Sequence, residues 1–191
     1  MKRTIVLLFL LLAAVLSLGA VEVAGVTMPS TVNIKGKQLL LNGAGVRKKL
    51  GMNIYAQALY LSEKSSDGQS IINADEPMMI RLAVVSGIIT TKMFVDTTIE
   101  AYDESTNGNP APIQKEIDAF MQAFASGVNK GDVYDIVYTP GVGIEVFKNG
   151  ATISPVCVKG MAIKKATFGI WIGPRKEKAL QNLRLDLLGL R

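Results

Sequence analysis

The stretch Leu41-Asn42-Gly43-Ala44-Gly45-Val46-Arg47-Lys48-Lys49, followed after a short turn by Ile54-Tyr55-Ala56-Gln57-Ala58-Leu59-Tyr60-Leu61, carries the first decision about the fold. The second half is nearly all apolar over eight residues, the pattern of a strand covered on both faces and therefore central in a sheet. Immediately upstream, Val32 and Ile34 alternate with polar neighbours and Gln38-Leu39-Leu40-Leu41 runs into Asn42-Gly43. That dipeptide predicts a tight turn, so Thr31 to Leu61 reads as two or three antiparallel strands.

Working outward, Met78 to Ser86 is a second strand of the same buried type, reached through a polar loop from Glu63 to Pro77. Thr90 or Thr91 is an N-cap for a helix running to about Asp103, and Glu104 to Pro110 is a loop. Pro112 suits the first turn of a second helix, in which Ile113, Ile117, Phe120, Met121 and Phe124 form an apolar stripe ending before Gly127. Strands return over Asp132 to Thr139, Ile144 to Lys148 and Ala151 to Val156, the last two joined by Asn149-Gly150. Lys159 to Thr167 and Pro174 to Leu188 read as helices, the latter with Leu180, Leu183 and Leu187 on one face and Gly189 as its stop. Strands in a meander with helices grouped between and after them predict an α+β domain, an antiparallel sheet covered by a helical layer.

Composition narrows the chemistry. The chain has 191 residues, no histidine and one cysteine, Cys157. A Ser-His-Asp triad, a Cys-His dyad, an imidazole metal site and an internal disulfide are all excluded. Met1, Lys2 and Arg3 precede an apolar run from Ile5 to Leu16 and the small residues Ser17, Leu18, Gly19 and Ala20. This is the pattern of a cleavable signal peptide, so residues 1–20 are expected to be a leader and residues 21–191 a periplasmic or secreted domain with no span after cleavage. The remaining basic residues, among them Lys35, Lys37, Arg47, Lys48, Lys49, Lys164, Lys165, Arg175, Lys176 and Lys178, are scattered without interleaved aromatics. A solvated surface is the expectation for them, and nucleic acid is not an expected partner.

Gly43, Gly45 and Arg47, leading through a hairpin to Ala58-Leu59-Tyr60-Leu61, resemble the chalcone isomerase family. The similarity continues through Lys130-Gly131-Asp132, Tyr138-Thr139-Pro140-Gly141, Asn149-Gly150 and Ile170-Trp171-Ile172-Gly173. With the leader and a shortened first hairpin, the chain is most similar to the bacterial chalcone-isomerase-like branch. The resemblance implies an open-faced β-sandwich with a ligand cleft between sheet and helices. Enzymes of that family cyclise a 2′-hydroxychalcone, an arginine steadying the phenolate, and Arg47 occupies that arginine's place. Where they carry a catalytic threonine this chain has Tyr55, as in the non-catalytic fatty-acid-binding branch. Thr90 and Thr97 stand near the places of the enzymes' cleft Tyr and Asn. The resemblance therefore implies binding of a small apolar carboxylate, without catalysis and without a cofactor, in a cleft touched by Arg47, Tyr55, Thr90 and Thr97.

Elementary chemistry gives that reading its terms. A guanidinium does not lose its proton, so an Arg47 facing an apolar cleft needs an anion, and its planar fork accepts two oxygens at once. A tail of about fourteen methylenes gains roughly 11 kcal/mol on burial at about 0.8 kcal/mol each, comparable with the association cost of about 4–15 kcal/mol, so the headgroup decides affinity. Tyr55 and Tyr60 lie an odd number of residues apart and project to opposite faces of the strand. Against this stand a merely solvated Arg47-Lys48-Lys49 turn, an isomerase recruiting Thr90, Thr97 or Tyr55 as proton carriers, and an interaction module with a closed cleft and an open sheet edge. Asp96, Glu100, Asp103 and Glu104 are read as a wet helix face and not a metal site. Gly43-Ala44-Gly45 lacks the partners of a phosphate cradle. Met78, Met79, Met93 and Met121 are either cavity lining or core, and Cys157 reads as a small buried hydrophobe. Trp171, the one tryptophan, is expected to pack the C-terminal segment.

Overall fold

The computed structural model describes residues 19–191. The expected leader lies almost wholly outside the described residues, as do the side chains of residues 154–157, Cys157 among them.

Seven strands form one antiparallel sheet in sequence order: β3 (Thr31–Ile34), β4 (Lys37–Lys49), β5 (Met52–Leu61), β6 (Met78–Val84), β7 (Val133–Thr139), β8 (Gly143–Lys148) and β9 (Ala151–Val158). Each strand pairs with the next, the simplest route for a meander with short turns. At the tips, Asn149 and Gly150 adopt φ of 53° and 79°, and Leu50 and Gly51 adopt 50° and 78°. Both are left-handed pairs of the kind that close tight hairpins.

Side-chain alternation along β5 sorts two cores. Tyr55, Leu59 and Leu61 face the helices, while Ala56, Ala58 and Tyr60 face a small hairpin of β1 (Val21–Val23) and β2 (Val26–Met28). Strand β5 is thus buried on both faces, which explains its unbroken apolar run. The helical layer comprises α1 (Gly68–Asn73), α2 (Thr91–Ser105), α3 (Gln114–Met121), α4 (Met161–Ile172) and α5 (Lys178–Leu187), with 3₁₀ turns on either side of α3. Phe120 and Phe124, from the stripe read in the sequence, meet Tyr102, Phe94 and Tyr134 at ring-centroid separations of 4.8–5.9 Å. These tilted and edge contacts knit α2, α3 and β7 together.

Several expectations require correction. Asn42-Gly43 is not a turn: β4 runs through it with a bulge between Leu41 and Gly43. Asn42 is held instead by its own side chain, which donates to the Ser65 and Leu187 carbonyls and accepts from the Ser65 N–H. The loop from Glu63 to Pro77 contains α1, a six-residue helix capped by Asp67, whose carboxylate accepts from the Gln69 and Ser70 N–H groups. Helix α4 extends to Ile172, and its C-terminal part from Ala166 to Ile172 is buried throughout, which hides the helical period there. Helix α5 begins only at Lys178, since Pro174 to Glu177 form a connecting segment. Lys164 is fully buried and not on a solvated surface. Its Nζ donates to the carbonyls of Ile71, Ile72 and Ala74, at 2.6–3.0 Å, and so caps the C-terminal end of α1.

Candidate functional site

Glycines 43 and 45 position the site. A Cβ on Gly43 would lie 2.1 Å from the Asp186 carbonyl oxygen, and one on Gly45 would lie 2.5 Å from an Asp186 carboxylate oxygen. The Gly-x-Gly pair is therefore a notch that lets the end of α5 rest directly on β4. Because α5 then runs antiparallel to β4, its N-terminal flank returns to Arg47, and Glu177 meets it there. Arg47 Nη1 and Nη2 donate to the two Glu177 carboxylate oxygens, both at 2.7 Å, and Nη1 also donates to the Lys48 carbonyl at 2.7 Å. The expectation that Arg47 waits for an outside anion is corrected: an internal carboxylate, itself half exposed, already fills its fork.

Arg47 stands directly opposite Tyr55 in the β4–β5 register, on the helix-facing side of the sheet. Between that face and the helices lies a cavity of about 180 Å³, over ten times the roughly 10–15 Å³ that one water molecule requires. Ile54, Ile89, Phe94, Ala101 and Ile170 give it apolar walls, while Arg47, Tyr55, Trp171 and Arg175 contribute its polar groups.

Tyr55 is buried and its hydroxyl accepts a 3.3 Å hydrogen bond from Trp171 Nε1. Indole N–H only donates, so the phenol proton is left without an acceptor among the described residues. Burial raises the pKa of Tyr55 against the opposing pull of the Trp171 hydrogen bond, Arg47 and Arg175. At neutral pH it is therefore a donor and not a base.

Arg175 was grouped with the solvated basic residues on sequence, and this too is corrected: its side chain is only 4% exposed. Nη2 donates to Glu104 at 2.7 Å, whereas Nε and Nη1 have no partner among the described residues. Desolvation lowers its pKa, Glu104 opposing. Unmet N–H groups on a buried cation are costly, and Arg175 is one of the residues that line the cavity with Tyr55. Neither nitrogen is open to water in this arrangement, so a headgroup reaches them only after a small shift of the lining. The one sequence signal was position: Pro174-Arg175 directly after the apolar helix carrying Trp171.

The two threonines differ. Thr97 lines the cavity and spends its hydroxyl proton on the Met93 and Phe94 carbonyls. Thr90 does not line it; it is the N-cap of α2, accepting from the Met93 N–H at 3.2 Å. The carboxylates of α2 are likewise divided, Asp96 pairing with Lys92 and Glu104 with Arg175. No group of acidic, cysteine or histidine side chains suited to a metal ion occurs among the described residues.

An antiparallel sheet whose helix-covered face borders an apolar cavity ending on arginine and tyrosine defines an α+β domain with a candidate small-molecule site. The chain belongs to the chalcone isomerase-like family, whose model matches residues 20–189. Its fold is similar to the crystal structure of a fatty-acid binding protein from Arabidopsis thaliana, with a TM-score of 0.69 and 19% identity, covering 86% of this chain and 92% of that one. A sequence search found no match among curated proteins.

Proposed function

We propose that the cavity binds a small apolar carboxylate, of fatty-acid type, without transforming it. The tail lies along the apolar walls and the headgroup lies at the polar end, where the Tyr55 hydroxyl donates to it and Arg47 and Arg175 neutralise it. Arg47 clamps the carboxylate once Glu177 swings out into solvent; Arg175 adds positive charge from behind. The observation that carries this reading is the Arg175 guanidinium, buried at the cavity wall with two N–H groups unmet beside a tyrosine that has a proton to give. The same ligand class is supported by the fatty-acid binding protein from Arabidopsis thaliana, whose fold is similar.

Trp171 borders the cavity, touches Tyr55, and is the only tryptophan, so its fluorescence reports on occupancy directly. Dodecanoate should change the emission saturably, and its methyl ester should bind about 10- to 100-fold more weakly, the worth of one charge-assisted hydrogen bond. Equal affinity for acid and ester removes the headgroup assignment; no saturable response to either removes the cavity as a lipid site. Lipid extracted from protein purified from expressing cells should be dominated by free acids.

A further inference from the structure

The mouth of the cavity carries a second message. Among the described residues, the exposed large hydrophobic side chains are Val21, Leu50, Met52, Ile88, Met93, Ile99 and Leu190. Four of these, Leu50, Met52, Ile88 and Met93, also line the cavity, so the apolar exposure of the molecule is concentrated around one opening. Leu50 is 89% exposed at the tip of the β4–β5 hairpin. Its φ of 50° is a left-handed conformation that suits Asn, Asp or Gly and disfavours a leucine. Neither turn formation nor core packing therefore asks for leucine there. The two preceding residues, Lys48 and Lys49, are exposed and form no ion pair among the described residues, and Glu177, the carboxylate that reaches this end of β4, is taken up by Arg47.

An unpaired lysine doublet leading an exposed leucine, with Met52, Ile88 and Met93 beside it, matches one environment: the boundary between anionic headgroups and acyl chains. We propose that the cavity mouth, led by Lys48-Lys49-Leu50, docks on the surface of an anionic phospholipid bilayer. Apolar tips enter the interface and the lysines face lipid phosphates. The docking stands on the rim alone; its use, loading or releasing an apolar carboxylate straight from the membrane, rests on the proposed function.

The test is sedimentation of ligand-free protein with vesicles of phosphatidylcholine alone or with one quarter phosphatidylglycerol. Partitioning should be stronger on the anionic vesicles and weaken at high salt. Lys48→Glu/Lys49→Glu should lower it at least about twentyfold, taking roughly fivefold per lysine neutralised. Leu50→Glu changes a side chain already in water and should lower it about tenfold. Every variant carries the same N-terminal segment, and a local readout makes the result independent of it. In Leu50→Trp combined with Trp171→Phe, brominated phosphatidylglycerol vesicles should quench the tip emission. Equal partitioning on neutral and anionic vesicles, or no tip quenching, overturns the proposal. So does a dimer, seen without vesicles and abolished by Leu50→Glu, which assigns the rim to a second copy of the chain. Dodecanoate titration of the unaltered protein tests the cavity separately: docking without uptake overturns the ligand reading alone, and uptake without docking overturns the rim alone.

Discussion

Arg47 and Glu177 lie 130 residues apart and meet fork to fork, both hydrogen bonds 2.7 Å long. Arg47 is largely buried while Glu177 is half exposed, so the carboxylate is the partner able to leave at small cost to the core. In the proposed site, Glu177 is the competitor that a ligand carboxylate has to displace from Arg47.

Removing that competitor should favour the ligand. Glu177→Gln is expected to tighten dodecanoate binding by up to about fivefold, because an exposed ion pair is worth about 0.2–1 kcal/mol and a ligand need no longer displace it. Trp171 fluorescence titration measures this; weaker binding in the variant shows that Glu177 supports the site instead of closing it.

Arg175 should separate stability from function. Arg175→Met removes a buried cation together with its two unmet N–H groups, and the Glu104 carboxylate left behind is partly exposed and still accepts from the Lys176 N–H, so the cost of about 3–5 kcal/mol that follows from stranding a fully buried charge is not incurred. The expected outcome is an equal or higher Tm together with at least tenfold weaker dodecanoate binding. A large fall in Tm would mean that Glu104 and the packing of the guanidinium contribute more to folding than its unmet N–H groups take away.

The glycine notch makes a purely structural prediction. Gly43→Ala places a methyl group against the backbone of Asp186 and Leu187, atoms that yield only if α5 lifts from β4. Overpacking of this kind costs about 1–3 kcal/mol or more, which for a domain of this size lowers Tm by roughly 2–12 °C. Gly45→Ala meets Asp186 Oδ2 at 2.5 Å, which can rotate away, and Asp186 Cβ at 2.6 Å, which cannot, so it too should destabilise but by less than Gly43→Ala, whose methyl meets a backbone oxygen at 2.1 Å. Thermal unfolding followed by circular dichroism compares the two, and equal losses would show that α5 is not seated as described.

Lys164 gives a pH dependence of definite sign. Burial depresses its pKa to about 8 in the folded state, against an ordinary value of 10.5, Asp75 opposing the shift. Between about pH 8 and 10 the unfolded chain holds more protons than the native one, so stability contributed by this group rises with pH, by at most about 1.4 kcal/mol per unit. Lys164→Met should abolish that rise. It should also lower stability at pH 7 by about 2–4 kcal/mol by leaving three helix-end carbonyls unmet. Urea unfolding of both proteins at pH 7, 8, 9 and 10 decides it, and parallel profiles would show that Lys164 stays protonated throughout.

Much of this architecture was legible one segment at a time. The unbroken apolar run from Ile54 to Leu61 announced a doubly covered strand, the Phe120 and Phe124 stripe a packed helix, and Asn149-Gly150 a hairpin, because each depends on neighbours in the chain. Asn42-Gly43 misled for the same reason. Read locally it is a turn, whereas in the fold Asn42 is held by Ser65 and Leu187 and Gly43 yields to a helix 143 residues downstream. Lys164 and Arg175 could not be told from surface cations, since nothing adjacent in sequence reveals that helix-end carbonyls or a cavity wall will surround them.

By itself, the order of residues determined strand and helix identity, the antiparallel class of the sheet, the side of β5 on which Tyr55 falls, and the absence of imidazole chemistry. Each follows from dihedral preference, side-chain period or composition. Tertiary structure alone decided which charge answers which: that Arg47 is closed by Glu177, that Arg175 is left partly unanswered at the cavity wall, and that Leu50 stands in water at its mouth. Ion pairing and burial are properties of distances in space, and those distances exist only once α5 has settled into the notch of Gly43 and Gly45.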